Sequence, residues 1–198
     1  MNIKSVRTKI VLGIMMVGMV INADAGENRP GHFETPYNGI ISGTATSAPI
    51  DAVNSGDGVD GVLGTFAITT QKFGQVTGQA LVEDVPAAIP SGTCPPETDF
   101  ELALGAIDAA HRFSNGDQLF LKGHTRTACV DLDTGTAVAH ESGEFTGGTG
   151  QFSEASGIWD ITDKINLWTT DPSGHFFASY TGQLKGTIIT SNPLHIKK

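Results

Sequence analysis

Six histidines and 21 carboxylates are the groups with which this chain could do chemistry, and their spacing excludes most of it. The histidines stand apart at His32, His111, His124, His140, His175 and His195. None forms an H-x-H or H-E-x-x-H pair, so zinc catalysis has no support in the sequence. No G-x-S-x-G elbow offers an activated serine. Asp133-Thr134-Gly135-Thr136 spells a D-T-G-T signature, but carboxylate-dyad chemistry needs two such acids sharing one proton, and a single copy is present. Asp-Thr-Gly is also good hairpin-turn material. Asp131-x-Asp133-x-Gly135 and the Asn54–Asp60 stretch have the look of calcium loops without the closing glutamate, and read as exposed acidic turns. Neither a metal nor a cofactor is expected.

One constellation remains. A turn at Asp133-Thr134 sets Arg126 opposite Glu141 as a cross-strand ion pair, placed on the outer face. Strand alternation then sends Leu121, Thr125 and Thr127 to the other face, with Val138, His140, Ser142 and Glu144. Turned into the interior of a closed sheet, His140, Ser142 and Glu144 would bind a ligand, with His140 and Glu144 available as base and acid. A slip of one residue, or a bulge at Gly123 or Gly143, exchanges the two faces and leaves these three as surface polar groups.

Strands must position such residues. Past Tyr37, short runs rich in Ile, Val, Thr and Phe alternate with Gly, Asn, Asp and Ser clusters. They predict strands at 38–46, 64–70, 75–85, 100–109, 118–130, 136–145, 157–168 and 176–189. Residues 103–112 could pass for a helix, but Gly105 and the Phe100/Leu102/Leu104 alternation favour a strand. Glycines within strands, among them Gly105, Gly123 and Gly182, suit the bulges and corners that curl a sheet closed. The class is all-β and antiparallel. Trp159, Trp168 and ten phenylalanines read as core and rim packing, with Trp168 beside a loop at one mouth. Cys94 sits in a proline-rich loop at 86–99 and Cys129 in a strand. In an oxidising compartment they would form one disulfide.

The most distinctive segment runs Gly147-Gly148-Thr149-Gly150-Gln151-Phe152-Ser153-Glu154-Ala155-Ser156-Gly157. Its glycines permit positive φ in a tight reversal, Phe152 anchors the following strand, and Ala155 and Gly157 leave room for a neighbour. No helix or lysine follows to make it a phosphate loop. The pattern G-G-T-G-x-F-x-x-A-x-G resembles that of dirigent proteins and of secreted bacterial proteins with an allene-oxide-cyclase-like barrel. Asn115–Leu119 and Gly182–Ile188 resemble the same group more loosely. The resemblance implies a single antiparallel eight-stranded β-barrel with a central cavity, and homotrimers. The catalytic acids of the enzymes in that group do not map onto this chain, so no activity is carried over.

The ends complete the organisation. Lys4, Arg7 and Lys9 precede an apolar run at 10–21, and Ala23-Asp24-Ala25 has the form of a cleavage site. The run is too short to cross a bilayer as a helix, which needs roughly 20 residues. Residues 1–25 therefore read as a cleaved signal peptide, 26–36 as a flexible leader, 37–190 as the barrel domain and 191–198 as a C-terminal tail. Export makes the location secreted or periplasmic. Cleavage shifts the formal charge from −9 to −11, a balance that repels nucleic acid and anionic lipid. The expectation is an exported barrel binding a small apolar or amphipathic ligand, without stable membrane insertion. A structural protein with a filled barrel and a cyclase or dirigent-like enzyme are the alternatives.

Overall fold

The computed structural model describes residues 31–48, 61–86, 92–170 and 176–195. The signal and cleavage segments, and the Asn54–Asp60 acidic turn, lie outside the described residues. Nine strands succeed one another: β1 (Phe33–Pro36), β2 (Gly39–Ala48), β3 (Gly61–Thr70), β4 (Gly74–Pro86), β5 (Phe100–Arg112), β6 (Gln118–Asp131), β7 (Thr136–Gly148), β8 (Ser156–Thr170) and β9 (Phe176–Thr190). Each of β2 to β8 pairs antiparallel with its successor, and β9 pairs back onto β2. The result is a closed eight-stranded barrel without free edges in its wall. All eight expected strands are present.

The start and the end of the barrel domain differ from expectation. Phe33–Pro36, placed in the flexible leader, forms β1 on Thr187–Thr190 of β9. β9 outruns β2, so its last residues would lack a partner there, and β1 supplies one. Pro36 closes that short strand, which suits a residue with no N–H to donate. In the tail, Leu194 is buried in the core and the His195 N–H donates to Gln151 Oε1 at 2.6 Å.

Aromatic side chains plug one end of the barrel. Tyr37, Phe73, Phe113, Phe145 and Phe152 meet there, with Phe113 and Phe152 ring centroids 4.4 Å apart and Phe73 edge-on to Phe113 at 5.4 Å. Edge-to-face contact is the favoured arrangement of such rings. The Gly147–Gly157 segment builds this end. Gly148 ends β7, Gly150–Phe152 forms one 3-10 turn and Ser156 begins β8. Gly147, Gly150 and Gly157 have φ of 108°, 55° and 126°, the left-handed region in which a Cβ is costly. The Asn115–Leu119 turn is fastened to it. Asp117 accepts from Asn115 Nδ2 and from the Gln151 N–H, and the Gln118 N–H donates to Thr149 Oγ1. At the opposite end the Asp131–Thr136 turn joins β6 to β7, and the Cys94–Cys129 disulfide ties the chain ahead of β5 to β6.

Two bulges lie in the middle of the wall. Between β4 and β5 the register shifts after Glu83, leaving Gly105 as the additional residue of β5. Between β6 and β7 it shifts between Gly123 and Thr125, with the additional residue on β6. A β-bulge of this kind bends its strand and exchanges inward and outward positions on its far side.

Candidate functional site

The β6 bulge decides which side chains enter the barrel. Leu119, Leu121 and Gly123 face inward; after the bulge Arg126, Ala128 and Val130 do so instead. The pairing of Arg126 with Glu141 is as expected, but its face is reversed: the pair lies inside. His140, Ser142 and Glu144 correspondingly lie on the outer face. His140 Nδ1 is 3.2 Å from Thr162 Oγ1, Ser142 Oγ is 2.7 Å from Thr125 Oγ1, and Glu144 pairs with His124 at 3.3 Å. Leu121, expected beside Thr125 and Thr127, is separated from them by the extra residue and points inward alone.

Inside is a cavity of about 430 Å³. Its walls are mostly aliphatic, with Ile41, Val82, Ile107, Leu121 and Ile161 among them, and Phe66, His111 and Trp159 also border it. It extends from the aromatic plug toward the end that carries the disulfide. Small side chains make the room. Ala80, Ala109, Ala128, Ala137 and Ala178 line it where larger aliphatics would fill it.

Against this wall β6 to β9 set four polar groups: Arg126, Glu141, Asp163 and Tyr180. Arg126 Nη1 donates to Glu141 Oε1 at 3.1 Å, both side chains being nearly buried. Asp163 hydrogen-bonds to Glu141 through one oxygen. Its other oxygen, Oδ1, is the one buried side-chain polar atom without a hydrogen-bond partner among the described residues. That atom lies over Gly182, where any Cβ would collide with it. Burial pushes the Asp163 carboxyl up to about 7; the negative charge of Glu141 adds to the rise and Arg126 opposes it. Asp163 thus retains its proton up to near neutrality. Burial also raises the Tyr180 phenol, which lies along the wall over Gly43 of β2 and Gly64 of β3.

A second polar pair sits at the plugged end. Tyr37 Oη and His111 Nδ1 are hydrogen-bonded at 2.9 Å, both fully enclosed. Burial lowers the imidazole to about 3, so His111 is neutral at any ordinary pH. The second tryptophan behaves differently from the first. Trp159 is buried and donates to the Glu144 carbonyl, whereas Trp168 is 64% exposed and donates to Ser179 Oγ.

Fold and cavity define the class: a closed eight-stranded barrel with an apolar chamber and one ionisable cluster in its wall. No family model and no curated protein matches the chain. Among solved structures it is similar to the pterocarpan synthase dirigent protein GePTS1, at 12% identity over 84% of this chain and 90% of that one, with a TM-score of 0.40. It is also similar to the pterocarpan synthase dirigent protein PsPTS1, at 13% identity over 77% and 95%, with a TM-score of 0.32. Both are dirigent proteins, the group that the Gly147–Gly157 segment resembles. Likenesses of this size carry no chemistry across, and the architecture rests on the chain's own strand pairing.

Proposed function

We propose that this protein is an exported ligand-binding barrel, holding a small, mainly apolar molecule with one polar group against Arg126, Glu141, Asp163 and Tyr180. The observation that carries this reading is the 430 Å³ chamber. A volume of several hundred Å³ with apolar walls and a few convergent polar groups is the ordinary form of a small-molecule site. A barrel with only a structural role would fill that space with side chains, as its plugged end does. The disulfide supports export, since such bonds persist in oxidising compartments.

An enzymatic reading, cyclase or dirigent-like, is favoured by one observation: a buried carboxyl that keeps its proton near neutrality is a general acid in waiting. The same experiment addresses both. Native mass spectrometry of the protein from its exported fraction is expected to show a discrete small-molecule adduct, with charge states that distinguish monomer from homotrimer. An unmodified mass throughout, together with failure to take up any apolar probe, would overturn the binding reading. Conversion of the released molecule on re-incubation would favour the enzyme.

A further inference from the structure

The plugged end of the chamber holds a hydrogen-bond donor that the protein itself does not use. Tyr37 is fully buried, and its hydroxyl has one partner, His111 Nδ1, at 2.9 Å. A buried O–H has to donate somewhere, so the phenol donates and Nδ1 accepts. Burial keeps the imidazole neutral, and a neutral ring that accepts at Nδ1 carries its proton on Nε2. Neighbouring rings fix this pose. Phe66 meets the imidazole edge-on with centroids 5.1 Å apart, and the Tyr37 ring lies 5.7 Å away. Turning the imidazole over would put a carbon against the Tyr37 hydroxyl.

Nε2 makes no hydrogen bond within the protein. Among the described residues only Asp163 Oδ1 is both sealed from accessible space and without a partner. The unpaired Nε2 is therefore not sealed, and it opens on the space that His111 borders, the chamber. Its immediate wall offers no side-chain acceptor. Gly78 on β4 and Leu119 on β6 stand opposite His111, and Phe66, Ala109 and Leu121 line the chamber beside it. Tyr180 Oη lies over Gly64 of β3, with β4 between that strand and the one that carries His111. An N–H left so is costly, and the acceptor it lacks has to come from what fills the chamber.

We propose that the ligand reaches the plugged end with a carbonyl oxygen, of a ketone or an ester, that accepts from His111 Nε2–H. This rests on the reading of the barrel as a ligand site and names the ligand class. It adds a second polar contact to the one made at Arg126, Glu141, Asp163 and Tyr180. The surroundings of Nε2 select an acceptor that brings no proton of its own. A hydroxyl would accept from Nε2 but strand its O–H among phenyl rings and aliphatic side chains. An ammonium has no lone pair to offer. A carboxylate accepts well, but it would bury a charge at an apolar end, while Arg126 pairs with Glu141 beyond the β6 bulge.

The test is proton–nitrogen NMR of the full, disulfide-intact chain carrying isotope-labelled histidine. It is titrated with acetophenone and with α-methylstyrene, in which a methylene group replaces the carbonyl oxygen at nearly the same shape. The free protein is expected to show His111 with its proton on Nε2, the signal being identified by its loss in His111→Phe. Tyr37→Phe, which disturbs the same ring, identifies it independently if His111→Phe does not fold. Acetophenone is expected to move the Nε2–H signal downfield as the bond forms, whereas α-methylstyrene enters the chamber and leaves that signal in place. His111→Phe is expected to weaken acetophenone about fivefold, the worth of one neutral hydrogen bond, and α-methylstyrene less than twofold. A proton on Nδ1, or an Nε2–H unmoved by saturating acetophenone, overturns the carbonyl assignment and leaves the cavity reading standing. A ketone preference lost in Tyr180→Phe and kept in His111→Phe overturns it likewise. Binding of neither probe overturns both.

Discussion

Replacing Asp163 by Asn isolates the energetic consequence of the buried carboxyl pair. Asn keeps the shape of a protonated aspartate and can donate to Glu141 as that proton does. The folded carboxyl titrates near 7 and the unfolded one at its ordinary value of 3.8. Between these pH values the folded wild-type protein holds a proton that the unfolded chain does not. Its stability from this group is therefore complete below about 4 and is lost as pH rises through 7, at about 1.4 kcal/mol per unit. The variant carries no such penalty. It is expected to match wild type near pH 4, to exceed it by roughly 1.5 kcal/mol at pH 5, and by about 4 kcal/mol from pH 7 upward. Urea unfolding at pH 4.5, 6 and 8, monitored by the fluorescence of buried Trp159, measures this as a difference between the two proteins. The difference matters because His111 acts oppositely: lowered from 6.5 to about 3, it makes both proteins more stable as pH rises across that interval. A stability gap that stays constant with pH, or that closes as pH rises, would refute the argument that Asp163 folds in its protonated form.

Other parts of the barrel give further expected outcomes. Arg126→Met leaves Glu141 and Asp163 without a cation and should cost about 3–5 kcal/mol at pH 8 by the same urea assay, with a smaller loss at pH 4. Reducing the Cys94–Cys129 bond, which closes a span of 35 residues, should lower stability by roughly 3–4 kcal/mol on the chain-entropy model, read as a drop in thermal midpoint with reductant. Phe152→Ala removes a fully buried ring from the aromatic plug and should cost about 3–5 kcal/mol in chemical denaturation. His140→Ala and Glu144→Ala alter only the outer face and should change apolar-probe affinity less than twofold in fluorescence titration.

Most of the barrel is legible in the sequence because alternation and turn residues are local signals. The eight wall strands, the Asp133-Thr134 turn and the Arg126–Glu141 pairing can all be read from neighbouring residues. Which face looks inward is a different matter, since β6 changes face at its bulge and a residue count across Gly123 misassigns one half. A better signal lies in β7, where Ala137, Ala139, Gly143 and Phe145 share parity with Glu141, while Val138 is the one apolar residue in the row of His140 and Ser142. β8 holds another: Trp159, Ile161, Ile165 and Leu167 are inward, and Asp163 is the single charge in that row. The coupling of Asp163 to Glu141 runs diagonally across the β7–β8 hairpin, where Asp163 stands opposite Ala139, and depends on a register set by the irregular 3-10 turn between the two strands. β1 has no signal at all, because four residues ending in proline, without an apolar partner pattern, carry no periodicity of their own.

The two bulges have a bearing on how such a chain can change its length over time. Gly105 is surplus relative to β4, and one residue at His124–Thr125 is surplus relative to β7, yet β5 and β6 keep a single register on both sides of them, from Ala103 opposite Thr127 to Asp108 opposite Lys122. The two extra residues thus lie abreast and form one fold in the wall, two strands wide. Deleting either alone throws β5 and β6 out of step, whereas deleting both restores continuous pairing there with Arg126 still facing inward. Insertions and deletions in this region are then heritable only as matched events about twenty residues apart, and relatives of this chain should carry both surplus residues or neither.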